Sequence, residues 1–295
     1  MDNILLNADT FDPSQVMISL IHLKNLFSKP CASDVISLDD GGIRMRLFAL
    51  LNKGNEVDFC FNSVDCSLSF SKVLVNVIGR LFKLEWTIAK WPDAAWSQLY
   101  EMNCWSTIKH CIKSASQFRI PRRMKQLSNV INDLYPTLSQ KFLTLMQESD
   151  TRLSHSKLGI CKVLTTAIMC SPQKTGSELL EKDKATWQSL LSMTISHIRA
   201  NLSDDSSMTK NCAKMVYVLV TASSQQLFDP SALQILTCLI QLICEESQQL
   251  QSSTARIILS LIHKILDVRR HITPSAQSIH YPLSISQPVI NSVIP

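Results

Sequence analysis

The stretch "FDPSQVMISLIHL", residues 11–23, decides the fold. Asp12 carries an acceptor for the free amides of a helix start, and Pro13 suits the first helical position because it has no N–H to leave unpaired. Gln15 completes a capping-box-like arrangement, and Phe11 is placed to staple onto Val16. Behind this start Val16, Leu20, Leu23 and Phe27 recur at spacings of four, three and four, which puts them on one helical face. The same device returns at "FDPSALQILTCLIQL", residues 228–242, with Asp229 as the cap and Pro230 as the first helical residue. Beyond FDPS the two copies diverge, so we read shared helix chemistry rather than a repeat of fixed period.

Outward from that start, glycine is scarce, with six in 295 residues, and proline falls mostly between apolar periodic segments. The pattern predicts helices near residues 13–28, 43–53, 67–90, 93–117, 121–134, 136–148, 152–170, 178–202, 205–227, 230–250 and 253–270. Stripes such as Met124, Leu127, Ile131 and Leu134, or Trp187, Leu191, Thr194 and Ile198, mark their apolar faces. Only the piece from Val57 to Phe61 reads as extended. The expected class is all-α.

Short connections imply antiparallel neighbours, and a helix pair then spans the unit size of helical arrays. On helix length and pairing, residues 10–270 resemble the armadillo and HEAT class of α-solenoids. The resemblance implies an architecture, antiparallel hairpins stacked in an irregular series, and carries no activity with it. The expected layout is one helical-repeat domain over residues 1–271. An extended or disordered tail follows over residues 272–295, a stretch without Asp, Glu, Lys or Arg.

Composition narrows the class of protein further. Hydrophobic residues make up 45% of the chain, ample for a core. The ten cysteines include no CxxC pair, and the opening MDNILLNAD has neither a positive n-region nor an apolar h-region, which together indicate reduced thiols in an intracellular setting. Cytoplasm and nucleus are both compatible, with the broken basic run RIPRRMK favouring the nucleus. No segment is long and apolar enough for a membrane span.

Catalytic and metal signatures are absent: the sequence holds no GxxxxGK[ST], GxGxxG, GxSxG or HExxH. Cys104, His110 and Cys111 lack a matching fourth ligand and read as core residues. His263 and His271 suit a helix C-terminus, where positive charge is favoured. Asp39 and Asp40 before Gly41 and Gly42 read as a helix-entry turn. Asn201-Leu202-Ser203 matches a glycosylation sequon that an intracellular chain has no occasion to use. Trp86, Trp91, Trp96 and Tyr100 surround Pro92 and read as filling between two helices, with base stacking or partner contact as the alternative. No cofactor and no small-molecule substrate are expected.

The charge pattern is the one feature that points outward. Residues 102–132 hold six basic residues and no acidic one, and the remaining 23 basic and 24 acidic residues of the chain nearly cancel. The basic residues are Lys109, Lys113, Arg119, Arg122, Arg123 and Lys125, and together they form the candidate partner- or anion-binding set. Lys109 and Lys113 lie late in one expected helix, where the carbonyl ends favour them. Arg122 and Arg123 follow Pro121 at the start of the next, where cations are disfavoured and Ile120 offers no side-chain cap. On a helical wheel Arg122 and Lys125 point away from the Met124, Leu127 and Ile131 stripe, and Arg123 flanks it. The junction itself reads first as a solvated surface with local pairing, then as a contact for an acidic protein partner, then for phosphate. For the chain, the leading expectation is a non-enzymatic scaffold or adaptor that binds protein partners within a larger complex. The alternative is a nucleic-acid-associated subunit of a chromosome-maintenance or DNA-repair complex, with the junction at 109–125 on backbone phosphate.

Overall fold

The computed structural model describes residues 13–29, 31–39, 41–56, 64–88, 90–118, 120–171, 183–201, 207–221, 237, 240–241 and 254–263. The described residues are helical and contain no strand, so the chain is all-α. In chain order the helices are α1 (Pro13–Leu26), α2 (Ala32–Leu38), α3 (Gly42–Glu56), α4 (Val64–Ile88), α5 (Ala94–Glu101) and α6 (Trp105–Ala115). Then follow α7 (Pro121–Gln147), a 3-10 turn (Thr151–Leu153), α8 (Ser154–Cys170), α9 (Lys184–Ala200) and α10 (Ser207–Thr221). Residues 254–263 are also helical.

The chain divides into two compact units, Met1–Ile131 and Asn132–Pro295, and the division falls inside α7. In the first unit α4 is the axis: α1, α2, α3 and α6 all pack against it, and α5 packs on α6. The stripe that marked α1 is what it buries, with Val16 and Leu20 fully enclosed and Leu23 and Phe27 nearly so. Leu74, Val77, Ile78, Leu81 and Phe82 supply the facing surface of α4. In the second unit α10 packs against both α8 and α9. Met215, Leu219 and Cys212 of α10 are buried, as are Ile160 and Leu164 of α8 and Trp187 and Leu190 of α9. The Trp187 indole N–H donates to the Leu219 carbonyl at 3.0 Å, which satisfies an acceptor near the C-terminal end of α10.

Three local readings change against the structure. The expected helix over 93–117 is two, α5 and α6, because the chain turns at Met102-Asn103-Cys104. There the Asn103 N–H bonds the Tyr100 carbonyl and the Cys104 N–H bonds the Leu99 carbonyl, the paired bonds of a Schellman stop. Asn103 takes φ 55°, a left-handed conformation that asparagine tolerates better than most residues. Conversely, the expected break between 134 and 136 is absent: α7 runs through Pro136, whose ring forfeits the bond to the Asn132 carbonyl without ending the helix. The short α2 has no counterpart among the expected helices, since seven residues give too few turns for a periodic signal. Of the helix expected over 178–202, residues 178–182 lie outside the described residues; α9 follows Asp183, whose carboxylate accepts from the Thr186 N–H at 3.0 Å.

The piece Val57–Phe61, the second FDPS start, Asp12 and the segment 272–295 lie outside the described residues.

Candidate functional site

The basic junction is built where α6 ends and α7 begins. Lys113 is exposed in the last turn of α6, and Lys109 is half-buried one turn earlier. Arg119 lies outside the described residues. At the start of α7, which has no acidic residue in its first turn, Arg122 and Lys125 are exposed. Ile120, just before the helix, is 51% exposed, and its carbonyl takes the first helical bond from the Met124 N–H at 3.0 Å.

Arg123 is different in kind. One of its terminal nitrogens, Nη1, donates to Gln126 Oε1 at 2.9 Å, and Nη2 donates to the Thr87 carbonyl in the last turn of α4 at 3.2 Å. Its guanidinium carbon lies 5.9 Å from the centroid of the Trp86 ring, within cation–π range. Arg123 therefore ties the start of α7 to the end of α4. The structure splits the six-residue set into a tether, Arg123, and an outward pair, Arg122 and Lys125. Nothing in the sequence pattern reveals the tether, because Thr87 and Trp86 are more than thirty residues away.

The tryptophans behind that tether form a closed aromatic cluster. Trp86, Trp91 and Trp96 are each at most 3% exposed. Phe82 stacks on Trp86 at 5.3 Å and meets Trp91 and Trp96 edge-on at 4.8 and 5.5 Å, and Phe48 meets Trp91 edge-on at 5.9 Å. Rings enclosed in this way are packing, and none of the three presents a face on which a base could stack. Tyr100, half-buried, meets Trp105 edge-on at 5.7 Å, and burial raises its hydroxyl above the ordinary value.

An ion pair the sequence did not advertise sits on the other edge of this cluster. Arg44 Nη1 lies 2.7 Å from both carboxylate oxygens of Glu85, and its guanidinium lies 5.9 Å from the Trp91 ring centroid. The Glu85 side chain is only 2% exposed. Burial, the largest influence, raises its carboxyl above the ordinary 4.5, against the opposing hydrogen bond and charge of Arg44. Nearby, Lys90 Nζ donates to the Asp39 carbonyl at 3.0 Å. The Asp39 carboxylate accepts from the Gly41 and Ile43 amides at 3.1 and 3.3 Å, a helix-entry cap for α3. Gly41 holds φ +87°, the left-handed region that favours glycine, and a Cβ there would press on the Arg44 guanidinium that Glu85 holds.

Among the described residues no group of three or more His, Cys, Asp or Glu side chains is placed to hold a metal ion. Cys104 and Cys111 are buried, and burial pushes the Cys111 thiol far up, away from thiolate chemistry. His110 packs against Gly79 of α4. Its imidazole is lowered below 6.5 by burial first and by Lys113 and Lys109 second. No helix among the described residues is long and apolar enough to cross a membrane.

Among the described residues, each unit has a cleft open on its surface. One, of about 560 Å³ in the second unit, is lined by uncharged residues including Gln140, Gln147, Gln188 and Met193. The other, of about 640 Å³ in the first unit, lies between the end of α1 and the last turns of α4, and Lys29, Arg80 and Lys83 line it. Thr87 belongs to that cleft and also receives Arg123, so the basic surface runs from the start of α7 into it. The sequence reading missed this because Lys29, Arg80 and Lys83 are scattered over more than fifty positions and only the α1–α4 packing assembles them. No protein-family model, curated protein or solved structure matches the chain.

Proposed function

We propose that the chain is a non-enzymatic helical scaffold whose helix hairpins stack in the armadillo and HEAT manner and which holds protein partners within a larger complex. The outward basic pair Arg122 and Lys125 contacts an acidic segment of one of them. The observation that carries this reading is the pair's exposure at a helix start that has no acidic first turn, beside an Arg123 whose own donors are already engaged. A helix N-terminus with two outward cations offers free amides and full charges to the same anion. The enclosed tryptophans favour a protein over a single strand of nucleic acid, whose bases need an open ring to stack on. The setting we assign is intracellular, with the nucleus favoured.

The test is affinity capture with the full chain and with Arg122→Glu/Lys125→Glu, alongside titration of a labelled DNA duplex. Scaffold function predicts partners that co-purify with the parent chain and are depleted about tenfold or more by the double variant, since reversing two rim charges acts on both attraction and steering. Equal capture by both forms removes the junction from the interface. Duplex binding that falls steeply with salt and vanishes in the variant replaces the protein partner with phosphate.

A further inference from the structure

We infer that the cleft between the end of α1 and the last turns of α4 is a docking pocket for an acidic peptide segment carrying an apolar side chain. The partner's being a protein rests on the scaffold reading, but the pocket is a different set of residues from the α7 pair. Arg80, Lys83, Leu84 and Thr87 follow one another at helical spacings of three, one and three, so α4 presents them along one edge. Across from them stand Phe27 and Lys29, at the chain's exit from α1.

Two helix ends do not account for so much positive charge. The α1 and α4 C-termini each contribute about half a negative charge, and the α1 carbonyls are already bonded. Lys24 O takes the Ser28 hydroxyl at 2.8 Å and Arg80 Nη1 at 3.2 Å, and Leu23 O, Asn25 O and Leu26 O take backbone amides. Against roughly one negative charge stand Lys29, Arg80, Lys83 and the adjoining Arg123. None of the described residues lining the cleft is acidic, and the acid nearest in sequence, Glu85, is sealed against Arg44. The surplus is a positive potential aimed into a concave site, where it is focused.

Shape and lining select the kind of anion. Phe27, 6% exposed, and Leu84, half-buried, put apolar surface among the cations. A nucleic-acid backbone is tracked by a row of cations along a groove. A depression of about 640 Å³ with lysines at its rim and apolar surface within has room for a short peptide segment, an aliphatic side chain together with the carboxylates that flank it.

The probe is a short fluorescein-labelled peptide of alternating glutamate and leucine, titrated by fluorescence anisotropy into the full chain at low and at physiological salt. Parallel arms use the glutamine counterpart, a phosphoserine-leucine peptide and a single-stranded oligonucleotide. Lys29→Glu/Lys83→Glu, both exposed and outside the core, is expected to weaken the glutamate peptide about tenfold or more, with a milder loss for Lys29→Ala/Lys83→Ala and an unchanged melting curve. At physiological salt Arg122→Glu/Lys125→Glu is expected to weaken the peptide clearly less than Lys29→Glu/Lys83→Glu does, because the pair lies outside the pocket lining and acts only through the screened field. Absence of glutamate-peptide binding at low salt overturns the inference, as does binding that survives the Lys29/Lys83 change. Tighter, pocket-dependent binding of the phosphoserine peptide or the oligonucleotide also overturns it and moves the ligand to phosphate. Partner capture that depends on Arg122 and Lys125 but not on Lys29 and Lys83 leaves the scaffold reading standing while the pocket falls.

Discussion

Arg44 and Glu85 show how much one residue pair can hold. Removing the cation leaves a carboxylate that is 2% exposed with no guanidinium beside it, and breaking a buried pair in this way costs about 3–5 kcal/mol. Arg44→Ala is therefore expected to lower the unfolding free energy by about that amount at neutral pH, with Glu85→Leu in the same chain recovering most of it. Denaturant titration measures both. The pH dependence has a definite sign. Because burial raises the folded carboxyl above 4.5, the folded state keeps its proton to higher pH than the unfolded chain does. The contribution of the Glu85 side chain to stability is then largest in acid, where it is protonated, and declines as pH rises from about 4.5 through the raised value. Relative to Glu85→Gln, which does not titrate, the parent chain should lose stability across that window. A difference that stayed flat would show that Arg44 holds the carboxylate ionised at no net cost. Neither partner is legible in the sequence: Arg44 sits in an ordinary charged helix, and only the α3–α4 packing brings Glu85 to it.

At the scale of elements, α4 and α6 cross where a glycine meets a histidine. A Cβ at Gly79 would collide with the His110 ring, so Gly79 is the hollow that lets α6 approach. Gly79→Ala is expected to cost about 1–3 kcal/mol by overpacking. His110→Ala should absorb most of that cost when combined with it, a coupling that a double-mutant cycle reads directly. Additive losses would mean that the ring moves aside freely. Acid should open the same seam. Burial, with Lys113 and Lys109 adding to it, holds the folded imidazole below 6.5, so the unfolded chain binds the proton first. Stability from this contact is complete above 6.5 and lost as pH falls through the lowered value, and a His110→Asn chain should not show that loss. Elements were the most legible level wherever an apolar stripe was long. The stripe of α1 named its buried face residue by residue. Legibility failed where a single residue decided the outcome. Asn103 stops α5 with the bonding pattern usually built on glycine, and Pro136 does not stop α7. Helix chemistry at both points is local, but the decision rests on whether the surrounding core rewards a break.

For the molecule as a whole, the class all-α follows from scarce glycine and helical periodicity, and the local excess of charge follows from counting. The sequence could not separate tether from outward pair in the basic junction, nor gather Lys29, Arg80 and Lys83 around one cleft, since both depend on packing against α4. Placement rather than total charge should therefore govern how the chain meets a polyanion. Arg122→Glu/Lys125→Glu and Lys72→Glu/Lys214→Glu change net charge by the same amount, and all four residues are exposed. If charge acted only through its sum, the two variants would leave a sulfonated cation-exchange resin at the same salt concentration. With the excess concentrated at the start of α7 and continued into the α1–α4 cleft, the first variant should elute well before the second. Its slope of log retention against log salt should fall by up to about two, since each engaged cation releases roughly one counterion. Neither Lys72 nor Lys214 lines the cleft or belongs to the start of α7, and their loss should move the slope by much less. Coincident elution of the two variants would show that the chain presents its charge to solvent evenly, and the α7 start would then have no privilege as a contact surface.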